Sequence, residues 1–257
     1  PCHFATRGLL WVFVCGLSVI PPRVAAVCIR SMFAVSRRRS IRTWGVGRSV
    51  ICIRQGYRTV RYHARVKNVC VFCGSSAGSD PAFRAAACEM GEALVRRGIG
   101  LVYGGARIGM MGAIADRVLE LEGEVIGVIP RALAEKEVAH AGLSELHIVG
   151  SMHERKALLT DRSDAFIAMP GGYGTLDELC EALTWGQLGI HAKPVGLLST
   201  AGYFDRLLAF LDHARSEGFL QPEHRAMVTV SADPDELLNG LSAYTPPGVE
   251  KLIGLEG

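Results

Sequence analysis

The sequence predicts an α/β fold, a doubly wound parallel sheet with helices on both faces. Three observations carry that prediction. After Lys67, short apolar runs alternate with helical segments, and strands that are apolar throughout belong to parallel sheets covered on both sides. Three of these runs end in Gly-rich loops that lead into helices, which is where open α/β sheets hold phosphorylated ligands. The charge is also unevenly divided. Residues 1–67 hold twelve Arg and one Lys but no Asp or Glu, whereas acids outnumber bases from Asn68 onward. The basic excess is therefore absent from the part that folds, which argues against a nucleic-acid-binding domain.

The elements follow in order. Residues 69–73 (Val-Cys-Val-Phe-Cys) read as a strand closed by Gly74-Ser75-Ser76-Ala77-Gly78. Asp80-Pro81 opens a helix, with Asp as N-cap and Pro at the first helical position, and Gly98 ends it. Residues 99–103 form a second strand, followed by a loop beginning Gly104-Gly105 and a helix to Glu122, stopped by Gly123. Residues 125–129 form a third strand closed by Pro130. A short strand over 146–149, a helix over 152–163 and a strand over 165–169 come next, then Pro170-Gly171-Gly172-Tyr173-Gly174. A helix from Thr175 to about Leu188, a strand over 195–198 and a helix over 203–217 complete a Rossmann-like pattern. The domain is expected to span 67–245, with 246–257 as a C-terminal tail.

Residues 1–66 read differently. The apolar stretch 8–20 is too short to span a bilayer and is stopped by Pro21-Pro22. With the acid-free, Arg-rich sequence beyond it, the segment resembles a poor signal or transit peptide. It lacks sustained periodicity, and the chain does not begin with Met. The expectation is a disordered basic extension or a mis-called N-terminus, the native protein beginning near Val66 and the segment carrying no catalytic residue. Four of the eight cysteines lie on each side of Lys67. Cys70 and Cys73 form a C-x-x-C inside an apolar run, with no second pair to complete a zinc site. They read as buried free thiols, with no metal, in a reducing, cytoplasmic compartment.

The chemistry concentrates in the loops. In Pro170-Gly171-Gly172-Tyr173-Gly174-Thr175 the glycines allow a sharp turn and close approach to a ligand. The following helix start offers unpaired amides and a positive dipole end to a phosphate, and Thr175 adds a hydroxyl. Ser75 and Gly104-Gly105 stand in equivalent loops of neighbouring strands. None matches the P-loop or the dinucleotide fingerprint, so a mononucleotide fits better than ATP or NAD. Glu178 follows Thr175 by three, the spacing of a capping box, and by spacing alone the cap is the favoured reading. The other reading is a carboxylate one turn from a phosphoribosyl group. Arg155 neighbours Met152, Leu158 and Leu159 on its helix, so its stem lies beside the apolar face and its charge requires a partner, structural or ligand. His191, His213 and His224 lack metal-ligand spacing and read as surface or loop residues.

Together, Met152-His153-Glu154-Arg155-Lys156 and Pro170-Gly171-Gly172-Tyr173-Gly174-Thr175-Leu176-Asp177-Glu178 resemble the paired signature of the Lonely Guy family, P-G-G-x-G-T-x-x-E with an arginine-lysine pair on the preceding helix. Val71-Phe72-Cys73-Gly74-Ser75-Ser76, Tyr103-Gly104-Gly105-Ala106, Gly127-Val128-Ile129-Pro130 and Leu183-Thr184-Trp185 support the likeness, with Ala106 where many relatives have a third glycine. The resemblance implies a phosphoribohydrolase releasing free base and ribose 5-phosphate from a cytokinin riboside 5′-monophosphate or AMP, without a cofactor. It makes Arg155 and Glu178 the catalytic pair. It places Glu137, Lys156, the loop from Gly172 to Glu178 and Thr184 at the nucleotide, and it implies a homodimer.

Two other readings compete. A lysine decarboxylase would require a Schiff-base lysine, and the few lysines after Val66 show no such setting. A non-catalytic nucleotide sensor or carrier would keep the Gly-rich loops and dispense with Arg155 and Glu178.

Overall fold

The computed structural model describes residues 66–137 and 139–247; the side chains of residues 136 and 137 are not among those described. The expectations for residues 1–65 and 248–257 lie outside the described residues. Seven strands run in chain order: β1 (Asn68–Phe72), β2 (Gly100–Tyr103), β3 (Val125–Pro130), β4 (Glu145–Val149), β5 (Ala165–Ala168), β6 (Val195–Leu198) and β7 (Val228–Ser231). Between and after them lie helices α1 (Pro81–Arg96), α2 (Gly109–Glu120), α3 (Arg131–Glu137), α4 (Met152–Asp161), α5 (Tyr173–Gln187), α6 (Asp205–Ser216), α7 (Pro222–Arg225) and α8 (Pro234–Ser242). All strand pairs are parallel, in the order β4-β3-β2-β1-β5-β6-β7.

That order explains the sequence pattern. The central strands are covered on both faces, and β2, β3, β5 and β6 are buried throughout. Side chains alternate across β1. Val69 and Val71 join Met90, Leu94, Ile114 and Leu237 on one face. Cys70 and Phe72 join Leu159, Phe166, Leu179 and Phe204 on the other. Both thiols of the C-x-x-C are buried and free, as read from the sequence. The chain winds outward from β1 to β4, then crosses back to place β5 on the other side of β1. The carboxyl ends of β1 and β5 therefore diverge at a topological switch point, where the connections leave a crevice.

Each strand expected from the sequence is present. The helix opened by Asp80-Pro81 is capped as read, with Asp80 Oδ1 accepting from the Ala82 amide at 2.8 Å. The expected pattern omitted α3, α7, β7 and α8. Strand β7 is short and only partly buried at the sheet edge, so it lacks the continuous apolar signal of the others. Helix α8 repeats the Asp-Pro start of α1: Asp233 Oδ1 accepts from the Glu236 amide at 2.8 Å, with Pro at the first helical position. Its signal was present in the sequence. His224 is buried, and so is not the surface residue expected. Among the described residues no helix is long and apolar enough to cross a membrane.

Candidate active site

The site is built from the ends of strands and the starts of helices. Helix α4 begins at Ser151, whose Oγ accepts from the Glu154 amide at 3.1 Å. Glu154 Oε2 reaches back to accept from the Gly150 amide at 2.7 Å. This reciprocal cap fixes the first turn of α4 and so aims the next residue, Arg155. The Arg155 side chain is 12% exposed and leans onto the sheet. Its Nε donates to the Val128 carbonyl of β3 at 3.1 Å, and its Nη1 lies 3.0 Å from Glu178 Oε1. A β-carbon at Gly104 would collide with Arg155 Nη2, so the glycine after β2 is what admits the guanidinium.

Glu178 is not a cap. Helix α5 starts two residues earlier than expected, with Gly172 as N-cap and Thr175 already in the first turn. The carboxylate goes instead to Arg155 and is 10% exposed. Burial raises the Glu178 pKa above the ordinary carboxylate value, and the Arg155 charge opposes that rise without cancelling it. The buried charge predicted to require a partner thus finds one on the next helix. Lys156, one residue on, faces α5 as well: its Nζ lies 3.1 Å from Glu181 and 3.3 Å from Asp177. Burial alone would lower the Lys156 pKa, but hydrogen bonds to Glu181 and Asp177 outweigh it and the net direction is up.

The Gly-rich loops meet beside this pair. The Gly74 amide donates to the Pro170 carbonyl at 3.0 Å. A β-carbon on Gly171 would collide with Thr175 Oγ1 and stand 2.8 Å from the Gly74 nitrogen. Gly172 and Gly174 differ, because β-carbons there would meet nothing within 4 Å. The first amide of α5 to join the helical ladder is that of Leu176, bonded to the Gly172 carbonyl at 3.2 Å. The amides before it are the orphan donors of a helix start. An open cleft of about 310 Å³ lies over this loop, bordered by Ser75, Phe83, Met110, Gly171, Gly172 and Tyr203. It sits at the switch point between β1 and β5.

The expected site residues therefore divide. Arg155, Glu178 and Gly104 come together over the ends of β2 and β3, with Lys156 beside Glu178 against α5. Ser75, Gly171, Gly172 and Thr175 come together at the β1–β5 crevice next to them. Gly105 takes φ +78° and packs against Val128 and Ile129, its carbonyl accepting from the His140 amide at 3.0 Å. Tyr173 is 94% exposed, and Gly174 stands in the open beside it. Thr184 lies on a different face of α5. Its hydroxyl donates to the Cys180 carbonyl at 2.7 Å, and it borders a separate groove with Leu183, Leu211 and Leu220. Glu137 closes α3, and its side chain lies outside those described. The sequence reading missed Phe83 and Tyr203; Met110, which also borders the cleft, is a buried core residue. Tyr203 follows the carboxyl end of β6, on the same edge of the sheet as the Gly-rich loops, and that position was its available signal.

The decarboxylase reading requires a lysine that is neutral and faces the cleft. Lys156 is held charged by two carboxylates. Burial lowers the Lys193 pKa, but that residue precedes β6, at the end of the sheet opposite the cleft, and donates to the Thr160 carbonyl at 2.6 Å. Neither fits a pyridoxal Schiff base.

Residues 111–241 match a protein family described as possible lysine decarboxylase. A probable cytokinin riboside 5′-monophosphate phosphoribohydrolase of Oryza sativa subsp. japonica is 52% identical over 185 residues, covering 72% of this chain and 82% of the relative. A cytokinin riboside 5′-monophosphate phosphoribohydrolase of Arabidopsis thaliana is 49% identical over 183 residues, covering 71% of this chain and 86% of the relative. Among solved structures, a molybdenum cofactor carrier protein from Chlamydomonas reinhardtii superposes with a TM-score of 0.55 at 22% identity, covering 70% of this chain and 100% of that one. That likeness is one of fold alone. The two plant hydrolases match through most of their own length, and the chain belongs to their family, the Lonely Guy family.

Proposed function

We propose that the protein hydrolyses the N-ribosidic bond of a cytokinin riboside 5′-monophosphate, or of AMP, giving free base and ribose 5-phosphate. One observation carries the reading: a shielded acid and a shielded guanidinium from successive helices meet at 3.0 Å beside a helix start suited to phosphate. In the reaction the bond from the sugar's anomeric carbon to the base nitrogen breaks, water oxygen adds to that carbon, and the base takes up a proton. Positive charge builds on the sugar ring as the bond lengthens. The Glu178 carboxylate stabilises that charge and takes a proton from the attacking water. Arg155, its Nε anchored on the Val128 carbonyl, holds the ribose phosphate and fixes the reacting geometry. The amides from Gly171 to Thr175, with Ser75, receive the 5′-phosphate. Names of relatives at about half identity support the substrate class.

The carrier reading loses ground, because Glu178 is committed to Arg155 and not to capping its own helix. The enzyme works in the cytoplasm, in keeping with free thiols at Cys70, Cys73, Cys88 and Cys180. It works as a homodimer through the apolar groove that holds Thr184, near the exposed Phe210 and Phe219; light scattering reads its mass. The test of the chemistry is incubation with AMP and with isopentenyladenosine 5′-monophosphate, followed by chromatography for free base. Glu178→Gln and Arg155→Ala are each expected to abolish base release with the fold intact by circular dichroism. Full activity in either variant would refute the assignment.

A further inference from the structure

Among the described side chains that border the cleft, Tyr203 alone holds the Gly-rich loop from outside by a side-chain hydrogen bond. Its Oη donates to the Gly171 carbonyl at 2.6 Å. Its ring meets Phe83 edge-on at 5.6 Å and Phe204 at 5.1 Å, so the hydroxyl is presented by a braced ring. Phe204 is itself buried in the core, and its amide donates to Ser199 Oγ at 3.2 Å. The connection from β6 to α6 is thereby anchored to the fold. The bond to Gly171 spans 32 residues of sequence.

A carbonyl and the amide that follows it share one planar trans peptide and point in opposite directions. Fixing the Gly171 carbonyl toward Tyr203 therefore fixes the Gly172 N–H away from it. A glycine pair gives the loop little restraint of its own, and β-carbons at Gly172 would meet nothing. Packing of Gly171 on Thr175 and Gly74 holds one end of this peptide, and on the open Gly172 side the tyrosine sets its orientation. On the other flank, the Pro170 carbonyl is held by the Gly74 amide. With both carbonyls engaged, the Gly171–Gly172 peptide is set before any ligand arrives, which lowers the ordering cost of binding an anion.

We infer that Tyr203 is a positioning residue for recognition of the 5′-phosphate, acting through the Gly171 carbonyl to aim the Gly172 amide at the phosphate oxygens. This rests on the nucleotide reading above and adds to it the determinant of selectivity for a phosphorylated sugar. Tyr203→Phe keeps the ring against Phe83 and removes only the hydroxyl.

The experiment compares wild type and Tyr203→Phe by steady-state kinetics on isopentenyladenosine 5′-monophosphate and by competitive inhibition with ribose 5-phosphate and with free adenine. The loss of one neutral hydrogen bond predicts an increase of about three- to tenfold in KM and in the ribose 5-phosphate inhibition constant. The expected kcat stays within about twofold, and the adenine constant is unchanged. A general loosening of the cleft would weaken adenine equally or lower kcat in step, and either result overturns the inference. So does a variant with unaltered phosphate affinity. Failure of the nucleotide reading is distinct, because wild type would then release no base at all. Tyr203→Ala, which also removes the ring, is expected to weaken ribose 5-phosphate further; an affinity equal to wild type would again overturn the proposal.

Discussion

Replacing Arg155 by Met removes the guanidinium while keeping much of its apolar stem, and it isolates the energetics of the ion pair with Glu178. Two opposite charges at 3.0 Å attract by about 5 kcal/mol at an effective dielectric of about 20. Desolvation takes back much of this, and a charge-assisted hydrogen bond nets about 1.5–3 kcal/mol. A double-mutant cycle of Arg155→Met, Glu178→Gln and the pair should give a coupling of about 2 kcal/mol. The pH dependence has a definite sign. A carboxylate whose folded pKa is raised binds more protons folded than unfolded, so stability declines as pH rises from the ordinary carboxylate value through the raised one. Removing Arg155 takes away the charge that opposes burial, raises the Glu178 pKa further and extends this decline to higher pH. Urea unfolding should therefore show Arg155→Met weakened by about 3 kcal/mol at pH 8, and by less at pH 5, because lowering the pH toward the raised Glu178 pKa reduces the charge left unpaired. An equal cost at both pH values, or a coupling below about 0.5 kcal/mol, would refute the reasoning.

Other outcomes follow from the same geometry. Gly104→Ala drives a methyl group into Arg155 Nη2; it is expected to cost about 1–3 kcal/mol as overpacking and to lower kcat about a hundredfold through misplacement of the guanidinium, read by thermal melts and initial rates. The acid limb of kcat/KM against pH should have its midpoint above about 4.3, the ordinary Glu value, because Glu178 is needed ionised and burial raises it; a limb at or below that value contradicts the assignment. Burial and then Lys193 push the His191 pKa down to about 4, so its ring should stay neutral in an NMR titration from pH 8 to pH 5, and stability should fall as pH drops from about 6.5 toward that value.

The strands were legible because a parallel sheet buries both faces, so Val69–Phe72 or Ala165–Ala168 cannot be mistaken for solvated segments. Strand β7 was not, since an edge position leaves Val228–Ser231 half-covered. The loops were legible from their glycines. The fate of Glu178 was not: Thr-x-x-Glu serves a cap and a catalytic pair equally well, and the choice depends on where α5 begins. That start is marked by one local contact, Thr175 packed on Gly171, and one distant in sequence, Tyr203 gripping the Gly171 carbonyl. Tyr203 offered only its position after β6 as a signal, because its partner Gly171 follows the neighbouring strand β5, 32 residues away in sequence. Arg155 was the intermediate case. Its awkward place beside an apolar face announced an unmet charge, and the structure supplied the answering acid.

Arg155 and Lys156 are consecutive, yet one pairs with Glu178 at the proposed reaction centre while the other braces α4 against α5 through Asp177 and Glu181. On the proposed chemistry, durability and turnover are wired to the same turn of helix. A protein engineer who strengthens the brace will shift the helix that presents the guanidinium, and one who retunes the guanidinium will load the brace. Screens for heat-tolerant variants should find this turn resistant to improvement, with gains arising at sites remote from it.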